Sequence, residues 1–457
     1  MNAEMGFSVS LCVFCLFLTI MVLRSGRPSL GLPFAYIAIL QLNHVPGAIA
    51  HIARPELFET TYFVGIGIWQ TAIASLCFSL GLMLSRASYH SSIAHGIRHL
   101  STSRVGSQTP FLTSRVSRSR FLLFCLLGGW AFIYILTPLH RIPSLGAIIE
   151  KGGAIWMLGT MLGLRDAAVR SDTLALVLWL SALAVYPTLM LLFGGFLSYG
   201  SAAAIIVLSI LVVSARSRFR VVVGTIVVAF VGVSLFVNYY SARDTIRSVV
   251  WSSASTNERI AVVSDAFKDV RFLDLANSEH AIALHQRLNQ NFFAGLATNN
   301  LDEGLAEYRG FRQLYEALIS PIPRALWPDK PVFGGSGSTV RDMTGLTLSE
   351  STSWGVGQVM ELYISFGWPS LIVGFAVLGW ILGQLDCTAA YAERRGDTKT
   401  LFSCFLPAVA LIQPLGSLVE IVGGAFAAFF AALGWHYLWT WWISREGYRR
   451  SSGDAQR

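Results

Sequence analysis

The sequence predicts an all-α, polytopic membrane helix bundle of about eleven spans with one large polar segment late in the chain. Three observations predict it. Of the 457 residues, 54% are hydrophobic and only 13% are charged, against roughly 25% charged in a soluble domain. The apolar residues fall in charge-free runs, each close to the roughly 20 positions that cross a bilayer. The charges sit between those runs. Such a composition excludes soluble enzymes, secreted disulfide scaffolds and DNA-binding modules. The net charge of +8 is therefore read as topology, with no nucleic acid as partner.

Spans are expected at 7–23, 31–52, 63–84, 121–139, 153–168, 173–191, 199–214, 221–238, 359–384, 400–420 and 422–443. The one at 153–168 is short and Gly-rich, and parity decides for it. With eleven crossings, the turns at 24–30, 85–120, 165–172, 215–220 and 385–399 and the tail from Ser444 share one face. That face holds 20 Lys+Arg against 7 Asp+Glu, whereas the short loops opposite hold Arg54, Arg141 and Lys151. The positive-inside rule makes the first face cytoplasmic, with the N-terminus outside and the C-terminus inside. The chain divides into an N-terminal bundle (1–238), an external segment (239–357), three C-terminal spans (358–443) and a cytoplasmic tail (444–457).

The first run lacks the basic leader and cleavage site of a signal peptide and is expected to be retained. Cys12, Cys15, Cys77, Cys125 and Cys404 lie in apolar runs and Cys387 in a cytoplasmic turn, so no disulfide framework is expected. Neither the Cys12–Cys15 pair nor His44 and His51 has the further ligands of a metal site. His44 and His51 are expected to be packed or hydrogen-bonded to Gln41, and no metal or cofactor is expected. Loop 85–120 reads as a flexible linker facing lipid headgroups.

Residues 239–357 break the apolar pattern with 11 Lys+Arg and 13 Asp+Glu. Segments of this length inside a compact protein usually carry function. Ser255-x-x-Glu258 has capping-box spacing and precedes Ile260, Val263, Phe267 and Val270 at helical intervals. Further amphipathic helices are expected near 278–296 and 304–319, with Pro321 and Pro323 ending the last. The segment should form a small helical cap.

Two carboxylates are expected within spans, Glu361 at the start of the ninth and Glu420 at the end of the tenth. An ionisable group in a span is costly and marks a candidate site, and both fall near the outer boundary. The cap supplies cations. Arg243 and Arg247, four apart, would project together from one helix. Arg287 lies among amide side chains, including Asn289, suited to sugar hydroxyls. Arg324 and Lys330 flank Trp327 within Pro323-Arg-Ala-Leu-Trp-Pro-Asp-Lys-Pro331, a rigid strap fit to hold guanidinium and ammonium groups toward an anion. The Gly-Gly-Ser-Gly-Ser run at 334–338 lacks a P-loop ending and reads as a turn. No Asp-x-Asp, HExxH or GxSxG motif occurs, which disfavours a metal-dependent sugar transferase and a serine hydrolase. No inverted pair of broken helices is apparent, which disfavours a secondary transporter.

Arg287-Leu-Asn-Gln-Asn291, Ile322-Pro-Arg-Ala-Leu-Trp-Pro-Asp-Lys-Pro331 and Thr352-Ser-x-Gly-Val-Gly-Gln-Val-Met-Glu361-x-Tyr363, followed by Phe366-Gly367, resemble the repeat-unit polymerases of bacterial O-antigen and exopolysaccharide, the Wzy type. The likeness covers mainly 239–385. It implies a metal-independent, inverting, GT-C-like glycosyltransferase of the bacterial inner membrane. Such an enzyme joins undecaprenyl-diphosphate-linked oligosaccharides, alongside chain-length-regulator and flippase partners. In that frame Glu361 is the expected base and Arg324 the expected catalytic cation. Lys330, Arg287, Arg243, Arg247, Trp327, Asn289 and Glu420 would bind substrate. An O-antigen ligase and a lipid-linked oligosaccharide flippase or exporter remain as alternatives.

Overall fold

A computed structural model describes residues 2–100, 115–136, 139, 142, 145–215, 217–323, 326–331, 336–347 and 355–454 of the chain. Helices dominate the described residues: α1 (Asn2–Leu23), α2 (Leu32–Ala53), α3 (Thr61–Leu100), α4 (Arg115–Ile135), α5 (Leu145–Gly153), α6 (Ile155–Arg170), α7 (Thr173–Leu189), α8 (Ser198–Ser214) and α9 (Arg218–Val250). The cap follows with α10 (Thr256–Ala266), α11 (Ser278–Arg287), α12 (Asn291–Asp302), α13 (Arg312–Ile319) and α14 (Ser336–Thr344). The chain then forms α15 (Gln358–Phe366), α16 (Trp368–Arg395), α17 (Thr398–Leu411) and α18 (Leu418–Asp454). Among the described residues, nine helices are long and apolar enough to cross a membrane, and α8 and α17 are shorter apolar helices. This is a multi-pass helical bundle.

Small residues let the central helices touch. A Cβ on Gly81 of α3 would lie 1.9 Å from the Ala376 carbonyl oxygen, and one on Gly379 of α16 would lie 2.1 Å from that of Phe78. Gly379-x-x-x-Gly383 opposite Gly81-x-x-x-Ser85 is the small-x-x-x-small pattern by which membrane helices approach backbone to backbone. The weak fifth run, 153–168, lies almost wholly on α6, and a further helix, α5, precedes it, parted at Ala154. The break sits where the Trp435 indole donates to the Gly152 carbonyl at 3.0 Å, so a tertiary hydrogen bond takes over a carbonyl from the helix.

Contacts between helix ends sort the bundle into two faces. At the basic end, Arg118 of α4 reaches Asp166 of α6 (2.9 Å) and Glu393 of α16 (2.6 Å), and Arg165 reaches Glu393 (2.7 Å). Arg24, in the α1–α2 turn, donates to the Val212 and Ala215 carbonyls at the end of α8, both at 2.7 Å. Five of the turns expected to share a face thus do so. At the cap end, α11 and α12 pack on α2 and α3, α10 on α9, and α13 on α18.

Several expectations need correction. The ninth span does not begin at 359: α15 ends at Phe366, Gly367 turns the chain at φ 70°, ψ −141°, and the long apolar helix starts at Trp368. Only glycine adopts that conformation without strain. The tenth run is helical only to Leu411, and Glu420 belongs to α18. Asp386 and Cys387, assigned to a cytoplasmic turn, are buried on α16, so Glu361 and Glu420 are not the only carboxylates in the bundle. Asp386 is satisfied there by the Ser29 hydroxyl (2.6 Å) and the Leu30 and Leu32 amides (3.0 and 3.2 Å). The linker at 85–120 is helical to Leu100 and again from Arg115, while 101–114 lie outside the described residues. The Ser255–Glu258 capping box forms as expected. The expected helix at 278–296 is two, α11 and α12, and the one at 304–319 is helical only from Arg312.

Candidate functional site

Two interrupted helices meet inside the bundle, and their meeting point holds Glu361. The segment 355–358 lies beside 413–415. The Gly357 amide donates to the Leu415 carbonyl (3.3 Å), the Gln358 amide to that of Pro414 (2.9 Å), and the Gln358 side-chain amide to Gln413 (2.9 Å). A Cβ on Gly355 would lie 2.6 Å from the Leu415 oxygen, so the sequence must keep a glycine for the two segments to approach. These bonds satisfy backbone groups that neither helix can. At the inner end of α15, the Tyr36 hydroxyl of α2 donates to Gln358 at 2.6 Å. At its outer end, the Arg309 and Gly310 amides donate to the Ile364 and Ser365 carbonyls (2.8 and 3.0 Å). The Leu362 side chain faces Gly374 of α16, so α15 and α16 form a hairpin about Gly367. α15 therefore rises from the bundle interior to the cap.

One turn along α15, Glu361 is 4% exposed and accepts the Leu418 amide at 2.7 Å. Leu418 is the first residue of α18. Just before it, the Ser417 amide donates to Glu420 at 3.0 Å, and the Glu420 amide donates to the Ser417 hydroxyl at 3.2 Å. Both singled-out carboxylates thus cap one helix N-terminus, whose unpaired N–H groups and positive dipole end favour negative charge. Glu420 is exposed and closes a capping box; Glu361 reaches the same terminus from a neighbouring helix and is buried.

The strap lies alongside. Gly423, one turn past Glu420, faces the Ser320 hydroxyl. The Lys330 ammonium donates to the Ser320 and Ile322 carbonyls at 2.7 and 3.0 Å, pinning the strap back on itself. Trp327 is half-buried between two tight turns, its own amide on the Pro323 carbonyl and the Lys330 amide on its carbonyl (both 3.1 Å). Arg324 lies outside the described residues, as do 332–335 and 348–354. Sequence reasoning missed two nearby cations. Arg309 is held by Asp342 (2.7 Å) and Thr339 (3.2 Å) below the α15 C-terminus. Lys151 lays its stem against Gly424 and pairs with Glu150 at 2.8 Å. In the sequence Lys151 reads only as a loop charge, and its approach to α18 depends on the fold of α5.

The remaining candidates form a second group at the ends of α9 and α11. α9 continues to Val250, so Arg243 and Arg247 ride on it. Arg243 pairs with Asp244 at 3.3 Å. The Arg247 guanidinium stacks over Phe196 (4.7 Å) and Trp251 (5.2 Å). Burial lowers the Arg287 pKa, the positive field of Arg243 lowers it further, and Tyr240 opposes them. Asn289 is buried, with its amide on His285 (3.2 Å) and its carbonyl taken by Asn291 (3.1 Å). His51 bonds His285 at 2.9 Å, and His44 bonds Asn291 at 2.7 Å. Gln41 donates to Ser75 instead of a histidine. The expected sugar-binding amides therefore knit α2, α3 and α12 together. Gln290, next in sequence, faces Gly357 at the start of α15.

Comparison with known protein families, curated proteins and solved structures finds no match for this chain.

Proposed function

We propose that the chain is a membrane glycosyltransferase that polymerises polyprenyl-diphosphate-linked oligosaccharides on the cap side of the bacterial inner membrane. The observation that carries the reading is Glu361: a buried carboxylate on an interrupted helix, next to the strap and below the cap. An acceptor sugar reaching it from the cap side would find a base sheltered from water, and general-base catalysis contributes about 100- to 10,000-fold. Lys330, Arg309 and Lys151 lie on the elements around it as candidate partners for the departing diphosphate, an electrostatic role. Arg324 keeps its proposed role from the sequence resemblance alone. Glu361→Gln preserves size and hydrogen bonding, so turnover of a defined lipid-linked unit by purified protein should fall by about 100-fold or more, with donor binding retained. Near-normal turnover would refute the assignment.

The sidedness is part of this reading. Ser253 is exposed in the cap, and Ser253→Cys should react with a membrane-impermeant maleimide on intact spheroplasts. Labelling only after lysis would place the cap, and the site under it, in the cytoplasm.

One observation favours a second reading. Neighbouring interrupted helices in a bundle interior are how many carriers build a substrate site, which restores weight to a lipid-linked oligosaccharide flippase. Cells lacking the protein separate the cases: single repeat units displayed outside indicate a lost polymerase, and units retained inside indicate a lost flippase.

A further inference from the structure

The basic end of the bundle contains a cavity of about 340 Å³ between the α1–α2 turn and the ends of α6, α8 and α16. Arg24, Arg27, Arg165 and Arg394 line it, and among the described residues no carboxylate does. Each arginine is supplied by a different kind of constraint. Arg24 uses its fork on two α8 carbonyls, which fixes its place and leaves its charge unneutralised. Arg165 shares Glu393 with Arg118. Arg394 is exposed at the end of α16. Arg27 carries a buried Nη1 without a hydrogen-bond partner among the described residues, and a buried guanidinium N–H left unpaired is costly. The carboxylates behind the wall are already committed, Glu393 and Asp166 to Arg118 and Arg165 and Asp386 to Ser29, two backbone amides and Arg86 at 4.0 Å. The surplus is positive.

The wall is also amphipathic. Val169, which is 60% exposed, and Val213 line the same cavity, at the ends of two apolar helices. Guanidinium groups bind phosphate oxygens in pairs, and basic pockets between helix ends on a membrane face suit anionic headgroups.

We propose that this cavity binds a phosphate ester, with Arg27 and Arg394 as its main donors and Arg24 and Arg165 as the fixed positive rim. The ester belongs to a membrane glycerophospholipid or to a soluble metabolite; the chemistry is shared and experiment separates the sources. The inference is independent of the activity proposed for the opposite end.

The test uses the purified full chain, titrated with dioleoylphosphatidylglycerol, dioleoylphosphatidylcholine or glycerol 3-phosphate. Native mass spectrometry reads retained lipid and thermal unfolding reads protection by each probe. Phosphatidylglycerol should be retained and should raise the melting temperature above that seen with phosphatidylcholine. In the Arg27→Gln/Arg394→Gln double variant its apparent affinity should fall by about 100-fold or more, two charge-assisted hydrogen bonds in size. Melting without any probe should not fall, because neither side chain bonds another element among the described residues and Arg27→Gln removes an unpaired buried N–H. Arg27→Lys should recover part of the affinity. Protection by glycerol 3-phosphate equal to that by the lipid, and lost in the double variant, supports the site and makes its ligand soluble. Equal binding of phosphatidylglycerol and glycerol 3-phosphate by parent and double variant would overturn the proposal.

Discussion

The two ends of this bundle use charge in opposite ways. At the basic end, buried or half-buried arginines and carboxylates neutralise one another in a connected set, Arg118 with Asp166 and Glu393 and Arg165 with Glu393, with Arg86 near Asp386 apart from it. That set ties α4, α6 and α16 together. At the cap end, Glu361 is as buried as Glu393, at 4% and 5% exposure, yet its described contact is a backbone N–H. Burial alone therefore does not separate a structural carboxylate from one that could serve as the base proposed above. The partner does, because an ion pair consumes the basicity that a general base must keep.

Exchanging the two glutamates for glutamine breaks or sharpens this comparison. Glu361→Gln should lower turnover by about 100-fold or more while the melting temperature stays near that of the parent. Glu393→Gln should do the reverse. It leaves two arginines without their shared acid, and removing one partner of a buried pair costs about 3–5 kcal/mol; turnover per folded molecule should hold. Thermal unfolding and lipid-linked-substrate turnover, measured on both variants, decide it. A stability loss in both would make Glu361 another structural carboxylate.

A smaller effect is expected within the cap end itself. Glu420→Ala removes one half of the α18 capping box and should destabilise by about 1 kcal/mol, with substrate affinity little changed. A large rise in the Michaelis constant with unaltered melting would instead return Glu420 to the substrate-binding role that its position in the sequence suggests.

Most of the bundle was legible because membrane helices announce themselves by length and apolarity, and because the distribution of arginines encodes which turns share a face. The proximity of Glu361 and Glu420 was legible too, from their place at the edge of two apolar runs. The interruptions were not. Residues 359–384 read as one apolar run, and the cue to its break is a single Phe366-Gly367-Trp368-Pro369 step, whose glycine needs φ of 70°. The run at 400–420 hides its break in Gln413-Pro414, whose carbonyls accept from the Gln358 side-chain and backbone amides. A hydropathy window averages over such steps. The polar run 285–291 misled for a different reason: amides suited to a sugar are equally suited to helix–helix hydrogen bonds in a bundle, and only the fold shows Asn289 and Asn291 buried.

The join between the start of α15 and the 412–417 break has a consequence for how the bundle breathes. The Gly357 and Gln358 amides reach across to the Leu415 and Pro414 carbonyls, so neither the start of α15 nor the 412–417 break can open without breaking these bonds. The two form one cooperative unit, and local opening energies vary by such units across a protein. The amide hydrogens of 357 and 358 should therefore exchange with deuterium as slowly as each other, although Gly357 belongs to no helix. A cut or insertion at 415–417 should accelerate both at once, from a segment far away in sequence.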